Sequence, residues 1–452
     1  SALLNTIPGV AEAYYRHIPL VIISADRPPQ WIGQLDGQTI PQNDALYPYA
    51  QTVQIDEKPS VVAVPAYNPN TPLHINVPIS EPLFNFSTVK LPEPEYSFFE
   101  QWPESDNGIE DLDKIADLIN NAVLPAVIVG QYEDAKSIAS LVKLDKENKL
   151  LLLPELISNQ PGSMRTTWIE AVKAEGIPMP DVVIHIGGAL VNKWLKLKLR
   201  KENNLKVIRV DKTDDCPDTF SHLEIKVKYD EAKFFDKIAP YLISHDSIKV
   251  FKQRASEFIP QSHSTKSKVI GALCKTILTG SETNDTTLFF GNSSAVRIAT
   301  RHLASGIIPT YCNRGVNGIE GSLSVAAGYS AVSTRNTYVI IGDLSFFYDV
   351  NALWNTQLHS NLRILLLNDH CGGIFSHLPG LAQSPALMQY VSAHHSCNAK
   401  GIAMSYNCSY IYAQNQEQLS EGLCAFTDFH TGKNLNNDKP IILEYDTNLE
   451  RN

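Results

Sequence analysis

Four short segments hold the residues best suited to chemistry: Gly291-Asn292-Ser293-Ser294, Asn313-Arg314-Gly315, Gly342-Asp343-Leu344-Ser345 and Asn368-Asp369-His370-Cys371-Gly372-Gly373. Each follows an apolar run of strand length. Asp343 and Asn368 offer hard oxygen ligands at the ends of two such runs with one helical segment between them, which sets the oxygens side by side if the runs pair in a parallel sheet. Mg²⁺ takes one or two carboxylates, carbonyls, water and phosphate oxygens in an octahedron. Glycines and backbone N–H groups beside a helix start suit a diphosphate. Alone, either residue reads more simply as a helix cap or turn residue; together at strand ends they favour the ligand role. His370 and the pair His394-His395 lack the HxxxH or HExxH spacing of zinc sites and are expected to be loop residues.

The elements that must position these residues fall in three blocks, each alternating short apolar runs with helical periods, the pattern of α/β domains with parallel sheets. The first, 1–90, has a helix over 7–17, strands over 19–24 and 73–77, and a long loop rich in Pro, Gly, Gln and Asn between them. A linker over 91–107 carries Pro92, Pro94 and Pro103 among acidic residues. The central block, 108–245, has strands over 126–129, 150–153, 182–186, 206–210 and 224–227. The last, 265–452, has strands over 287–290, 308–311, 337–341, 363–367 and 441–445, with helices over 318–332 and 349–359. In open parallel sheets ligands bind beyond the carboxyl ends of the strands, where all four segments fall.

Composition narrows the partners. The chain has 452 residues, 43% of them hydrophobic and 19% charged, an ordinary globular balance. Length alone suggests about three domains at roughly 150 residues each. Lys and Arg number 38 against 48 Asp and Glu, a net charge of −10, which argues against a grip on nucleic-acid phosphates. No apolar stretch approaches the ~20 residues of a spanning helix, so no membrane role is expected. Seven Cys without CxxC spacing point to a reducing compartment, the cytoplasm.

Gly342-Asp343 followed by Asn368-Asp369 resembles the signature Gly-Asp-Gly and Asn-Asn of the thiamine-diphosphate-dependent enzyme family. The resemblance implies thiamine diphosphate with Mg²⁺ or Mn²⁺, the metal held by Asp343, by Asp369 at the second Asn position and by the backbone carbonyl of Cys371. Gly342, Leu344, Ser345 and Asn368 then border the cofactor, and Ile319 matches the apolar wedge that bends thiamine into its reactive V shape. Leu344 for Gly, Asp369 for Asn and Cys371 for Gly depart from the pattern, and Asp369 adds a negative charge beside the diphosphate.

Five longer motifs, SADRP, GNSSAVR, NRGVNGIEG, IGDLSFFYDVNAL and GGIFSHLP, occur in order. They resemble the branch of the family, acting in menaquinone biosynthesis, that decarboxylates 2-oxoglutarate and adds the four-carbon remainder to isochorismate, a transferase reaction. Both substrates are polycarboxylates, and the planar fork of Arg fits a carboxylate. The resemblance puts Arg27, Gln38, Arg297 and Arg314 on substrate carboxylates or hydroxyls, Ser293 and Lys193 at further polar contacts, and Phe375 and Leu378 at the walls around the reacting carbons. Trp194 stands where the branch has an Arg beside Lys193. A core role is the default reading for the apolar members, and only its motif context lifts Ile319 above it.

The resemblance also implies three domains of the family's type: a partial pyrimidine-binding domain over 1–90, a central domain, and a diphosphate- and metal-binding domain over 265–452. Active sites in the family form between two subunits, so a homodimer or homotetramer is expected. The family's activating Glu lies upstream of every segment matched here, and Glu12 falls in the wrong motif. The expectation is therefore an N-terminally truncated chain, its first domain incomplete, inactive alone. Two alternatives stay open: a non-catalytic relative that binds thiamine diphosphate, and an acetolactate-synthase-type lyase with a flavin in the central domain, where no GxGxxG follows a strand.

Overall fold

The computed structural model describes residues 2–55, 68, 70–80, 109, 111–132, 138–213, 215–261, 264–280, 283–378, 380–428 and 438–447. The proline-rich segment expected as a linker lies outside them. The chain divides into two compact units, Ser1–Glu110 and Asp111–Asn452.

In the first unit, β1 (Val21–Asp26), β2 (Gln51–Gln54) and β3 (Leu73–Pro78) form a parallel sheet in the order β1-β3-β2. Helix Ile7–Tyr15 gives Val10 to a small core with Leu3, Leu46 and Ala50. β2 escapes the sequence pattern because an edge strand reading QTVQ carries little apolar signal.

The second unit holds two further parallel sheets. β4 (Pro125–Val129), β5 (Leu151–Pro154), β6 (Val182–Ile186), β7 (Lys206–Asp211) and β8 (Leu223–Lys228) run in the order β5-β4-β6-β7-β8. β9 (Thr286–Phe290), β10 (Thr310–Cys312), β11 (Asn336–Gly342), β12 (Leu362–Asn368), β13 (Ser409–Ala413) and β14 (Ile441–Asp446) run in the order β10-β9-β11-β12-β14-β13. The architecture is thus three parallel-sheet α/β assemblies.

Alternation along the strands sorts the larger core into two faces. Ile340, Leu365 and Leu443 pack on Val269, Ile270 and Leu273 of helix Thr265–Thr279. Val339, Ile341, Ile364, Leu366 and Ile442 pack on Leu323, Ala326 and Ala327 of helix Ser322–Val332 and on Ala399 and Ala403. Burial of each Leu or Ile is worth about 1.5–3 kcal/mol, so strands read as continuous apolar runs are the best-anchored elements.

The central sheet is closed where a nucleotide would enter. At the strand ends between β4 and β6, a Cβ on Gly130 would stand 2.2 Å from the Gly188 carbonyl oxygen, and one on Gly187 (φ +71°) 2.7 Å from that of Gln131. The Gly188 N–H donates to the same Gln131 oxygen at 2.7 Å. The chain's own backbone fills this crevice.

Two expected helices are corrected. Instead of one over 349–359, helix Asp343–Tyr348 comes first and a 3-10 turn, Val350–Trp354, follows. Asp349 leaves helical geometry at φ −123°, and its carboxylate accepts from the Ser324 N–H at 2.8 Å and the Ser324 hydroxyl at 2.5 Å. The helix expected from residue 318 begins at Ser322 because Asn317 (φ +67°) and Gly321 (φ +74°) are left-handed. Among the described residues no helix is long and apolar enough to cross a membrane.

Candidate active site

β11 and β12 are hydrogen-bonded neighbours, with Gly342 beside Leu367, so Asp343 and the Asn368-Asp369 pair leave the sheet at one edge. The Asp343 carboxylate, 4% exposed, ties three segments together. Its Oδ1 accepts from the Leu344 N–H at 2.8 Å; its Oδ2 accepts from the Cys371 N–H at 3.0 Å and from His395 Nε2 at 3.1 Å. The Cys397 N–H donates to His395 Nδ1 at 3.1 Å, which leaves the proton of the neutral ring on Nε2, facing Asp343. Burial, and then the charge of Asp369, raise the Asp343 pKa above its ordinary value, while the Leu344 and His395 bonds oppose the rise. His395 is therefore more than the loop residue expected: it lies in a loop but bonds the central carboxylate.

Asp369 is 7% exposed. Thr447 Oγ1 donates to its Oδ1 at 2.5 Å, and Lys266 Nζ, from the first turn of helix Thr265–Thr279, bonds its Oδ2. Asn368 is fully buried and acts as a brace. Its Nδ2 donates to Glu444 Oε1 at 2.7 Å and to the Cys397 carbonyl at 2.9 Å, and its Oδ1 accepts from the His370 N–H at 3.0 Å. Glu444, also fully buried, accepts as well from the Ala399 N–H at 2.8 Å and the Tyr410 hydroxyl at 2.7 Å. Burial and the Glu444 charge raise the Tyr410 pKa and keep it a donor. His370 (φ +56°) makes the sharp turn between Asp369 and Cys371, and its Nε2 lies 3.1 Å from Asp446 Oδ2.

Among the described residues no three His, Cys, Asp or Glu side chains gather as a metal cage, so an ion here would need the two carboxylates together with a backbone carbonyl and phosphate oxygens, a set that Mg²⁺ accepts. The two carboxylates lie near enough for the charge of one to act on the other. The Cys371 carbonyl accepts from the Gly373 N–H at 2.9 Å, beside the Asp343 carboxylate that the Cys371 N–H bonds. A Cβ on Gly373 would stand 3.0 Å from Asp369 Oδ2, so glycine keeps that oxygen accessible. Leu344 and Phe375 close over Gly372, whose Cβ would meet Phe375 Cδ2 at 2.8 Å and Leu344 Cδ1 at 3.3 Å. Gly342 borders open space, and Ser345 is buried in the first turn of helix Asp343–Tyr348.

The same sheet edge carries the arginines. Arg314, after β10, is buried: Nη1 donates to Asn292 Oδ1 at 3.1 Å and Nη2 to the Leu190 carbonyl at 2.8 Å, while Nε has no hydrogen-bond partner. A buried orphan N–H is uncommon and marks a place for a ligand acceptor. Arg297, exposed on helix Ser294–Ala299, lies near enough for the Arg314 charge to depress its pKa, after the larger effect of burying part of its guanidinium. Ser293 holds φ +72° and ψ −120°, a strained conformation for a residue with a side chain, at the start of that helix. Asn292, to which the sequence assigned no role of its own, pins the loop after β10 by donating to the Asn313 carbonyl at 2.6 Å and the Gly318 carbonyl at 2.7 Å.

From the central sheet, buried Glu155 accepts from the Val191 and Asn192 N–H groups at 2.5 and 2.9 Å, setting the start of helix Lys193–Leu199. Burial raises the Glu155 pKa, against the pull of those bonds and of Arg314 and Lys196. Lys193 is exposed at the first position of that helix, and Trp194 packs on the central core. Lys196, half-buried, is the cation of this helix that Arg314 and Glu155 act on directly; burial lowers its pKa.

Ile319 and Leu378 are 38% and 41% exposed, which removes the core reading for both; Phe375 is half-buried. Arg27 and Gln38 belong to the first unit. Arg27 follows β1, half-buried, with its N–H donating to Asp26 Oδ1 at 2.8 Å; Asp26 in turn accepts from Gln42 Nε2 and Asn76 Nδ2, both at 2.8 Å. Gln38 is exposed at φ +64°. Structure thus bonds Asp343 to Cys371, sets Asn368 and Asp369 at the neighbouring strand end, brings Arg297 within reach of the Arg314 charge, and places Arg27 and Gln38 on a separate unit.

Residues 292–444 match the family described as thiamine pyrophosphate enzyme, C-terminal TPP binding domain. The whole chain is 34% identical over 482 residues to the 2-succinyl-5-enolpyruvyl-6-hydroxy-3-cyclohexene-1-carboxylate synthase of Bacteroides thetaiotaomicron, covering 83% of that protein. The synthase of the same name from Phocaeicola vulgatus is 33% identical over 480 residues, again across the whole chain and 83% of the relative. That of Flavobacterium johnsoniae is 32% identical over 452 residues, 94% of this chain and 80% of the relative.

Proposed function

Because the chain belongs to the 2-succinyl-5-enolpyruvyl-6-hydroxy-3-cyclohexene-1-carboxylate synthase family, we propose that it joins 2-oxoglutarate to isochorismate using thiamine diphosphate and Mg²⁺, in menaquinone biosynthesis. In this reaction the bond from C2 of 2-oxoglutarate to its adjacent carboxyl breaks, CO2 leaves, and C2 forms a new carbon–carbon bond to a double-bond carbon of isochorismate, whose displaced electron pair takes up a proton. Thiamine diphosphate, when bound, supplies the electron sink that a 2-oxo acid needs to lose CO2, which side chains do not offer.

The observation that carries the reading is the convergence of Asp343 and Asp369 at adjacent strand ends, on the sheet edge that also carries the arginine pair. Asp343, Asp369 and the Cys371 carbonyl hold the ion, with Gly342, Leu344, Ser345 and Asn368 around the diphosphate. Ile319, exposed in the loop that Asn292 pins, meets the thiamine. Arg297 and Arg314 take the carboxylates of 2-oxoglutarate and isochorismate. Arg314 is buried, so a carboxylate bound to its guanidinium gains more there than at a solvated surface. Ser293 and Lys193 add hydrogen bonds, with Lys196 alongside; Phe375 and Leu378 keep water from the reacting carbons. Arg27 and Gln38 are further contacts to substrate carboxylates or hydroxyls.

On this reading 1–90 is pyrimidine-binding, 108–245 central and 265–452 diphosphate- and metal-binding. Two chains combine, as a homodimer or homotetramer, to complete a site. The large apolar side chains exposed after β10 and β12, including Val316, Ile319, Leu378 and Met388, support such an assembly. Seven cysteines, all free thiols, support a cytoplasmic setting. The backbone packed between β4 and β6 weighs against the acetolactate-synthase-type alternative, which calls for a flavin in the central domain.

The test is CO2 release from 2-oxoglutarate or pyruvate, with and without isochorismate, followed by product analysis. Release from 2-oxoglutarate that depends on isochorismate and gives the joined product is expected. Turnover of pyruvate instead would overturn the substrate assignment, whereas no turnover of either is the outcome expected if this chain is inactive alone.

A further inference from the structure

Asp369 gives the candidate metal site a second carboxylate, and Lys266 sits on it. We propose that Lys266 is a built-in competitor for the divalent ion, holding the place of a cation on Asp369 and thereby setting how tightly the chain binds metal. The inference rests on the metal-site reading above. Asp369 Oδ1 is occupied by the Thr447 hydroxyl at 2.5 Å, so Oδ2 is the oxygen left for a cation, and Lys266 Nζ bonds that oxygen. The glycine at 373 leaves Oδ2 approachable, 3.0 Å from where a Cβ would stand.

The pair is neither a loose surface contact nor a sealed core pair: side-chain exposure is 22% for Lys266 and 9% for Asp369. It is dry enough for the charges to matter and open enough for the ammonium to leave. Lys266 is anchored at one end only. Its backbone lies in the first turn of a helix started by Ser264, whose side chain accepts from the Ser267 N–H at 3.3 Å, while its four-carbon stem and three-donor head are free to turn. An amide at 369 would carry no charge for the ammonium to match. The lysine therefore matches the charge that Asp369 adds beside Asp343 and must be displaced from Oδ2 before a metal binds there.

The experiment titrates Mn²⁺ alone into the whole chain and follows free Mn²⁺ by electron paramagnetic resonance. Lys266→Met is expected to bind Mn²⁺ about tenfold more tightly than the parent, the scale of one partly buried ion pair. Lys266→Arg, which keeps the charge, stays within about twofold of the parent. In an Asp369→Asn background the lysine has no carboxylate to cover, so adding Lys266→Met changes affinity by less than about twofold. Circular dichroism and melting curves verify that each variant is folded. Unchanged or weaker binding by folded Lys266→Met, or an equal gain in the Asp369→Asn background, would overturn the inference. Asp343→Ala separates the two levels: if it binds Mn²⁺ like the parent, the metal-site reading itself fails; if it loses binding while Lys266→Met changes nothing, only the role of Lys266 fails.

Discussion

Replacing Asn368 with Ala removes the brace beneath the site, and its cost follows from the bonds it makes. Asn368 gives Glu444 one of the three donors that keep a fully buried carboxylate in place, at 2.7 Å. A hydrogen bond to a charged group is worth about 1.5–3 kcal/mol. The substitution also strands the Cys397 carbonyl and the His370 N–H, bonded at 2.9 and 3.0 Å. Part of that loss is recovered by water, because His370 and Cys397 lie near the surface, so the total is about 3–5 kcal/mol. For a unit as large as Asp111–Asn452 each kcal/mol moves the melting temperature by about 1.5 °C, and the transition of this unit, which holds β9 to β14, is expected to fall by at least about 4 °C. Thermal unfolding followed by circular dichroism measures it. The same variant frees the turn at His370, so metal-dependent cofactor binding weakens along with stability. A fall of less than about 2 °C would refute the claim that this network carries the site.

Other consequences are as direct. Burial of Glu231 pushes its pKa up to about 7 from an ordinary 4.5; below pH 4.5 both states are protonated and no penalty exists, whereas between 4.5 and 7 only the unfolded state ionises and stability falls. Glu231→Gln is therefore expected to raise stability by up to roughly 3 kcal/mol at pH 8 and to change nothing at pH 4, as read from urea midpoints; a gain equal at both pH values would contradict it. Arg314→Lys keeps the charge but loses the fork that bonds Asn292 and the Leu190 carbonyl. Steady-state kinetics should show kcat/KM down by about a hundredfold, and a loss under threefold would remove Arg314 from the substrate site. Ile319→Ala takes away an exposed side chain, so the melting temperature should stay within about 1 °C while activity falls at least tenfold; a stability loss with full activity would return Ile319 to the core.

How far the site is legible in the sequence depends on distance along the chain. β11 and β12 are continuous apolar runs that end in Asp343 and Asn368, and a parallel sheet with helices on both faces demands such runs. Those two positions and the glycines around them are legible for that reason. β13, with one fully buried residue in SYIYA, lies at the sheet edge, where burial selects weakly, and leaves little pattern. The bonds of His395 to Asp343 and of Lys266 to Asp369 join residues 52 and 103 positions apart, and no local spacing encodes them. Asn292 looks like any polar residue after a strand until its two carbonyl partners are seen. Lys196 is hidden for a different reason. In a run of alternating Lys and Leu, only the turn of helix Lys193–Leu199 and its approach to Arg314 distinguish one lysine from the next.

Calorimetric titration of thiamine diphosphate into the chain, with and without Mg²⁺, and repeated on Asp343→Ala, tests the central claim most directly. Binding that requires Mg²⁺ in the parent and is lost in the variant is predicted. Binding that is indifferent to Mg²⁺, or unchanged in Asp343→Ala, would contradict the assignment of β11 and β12 as the strands that hold the cofactor's metal.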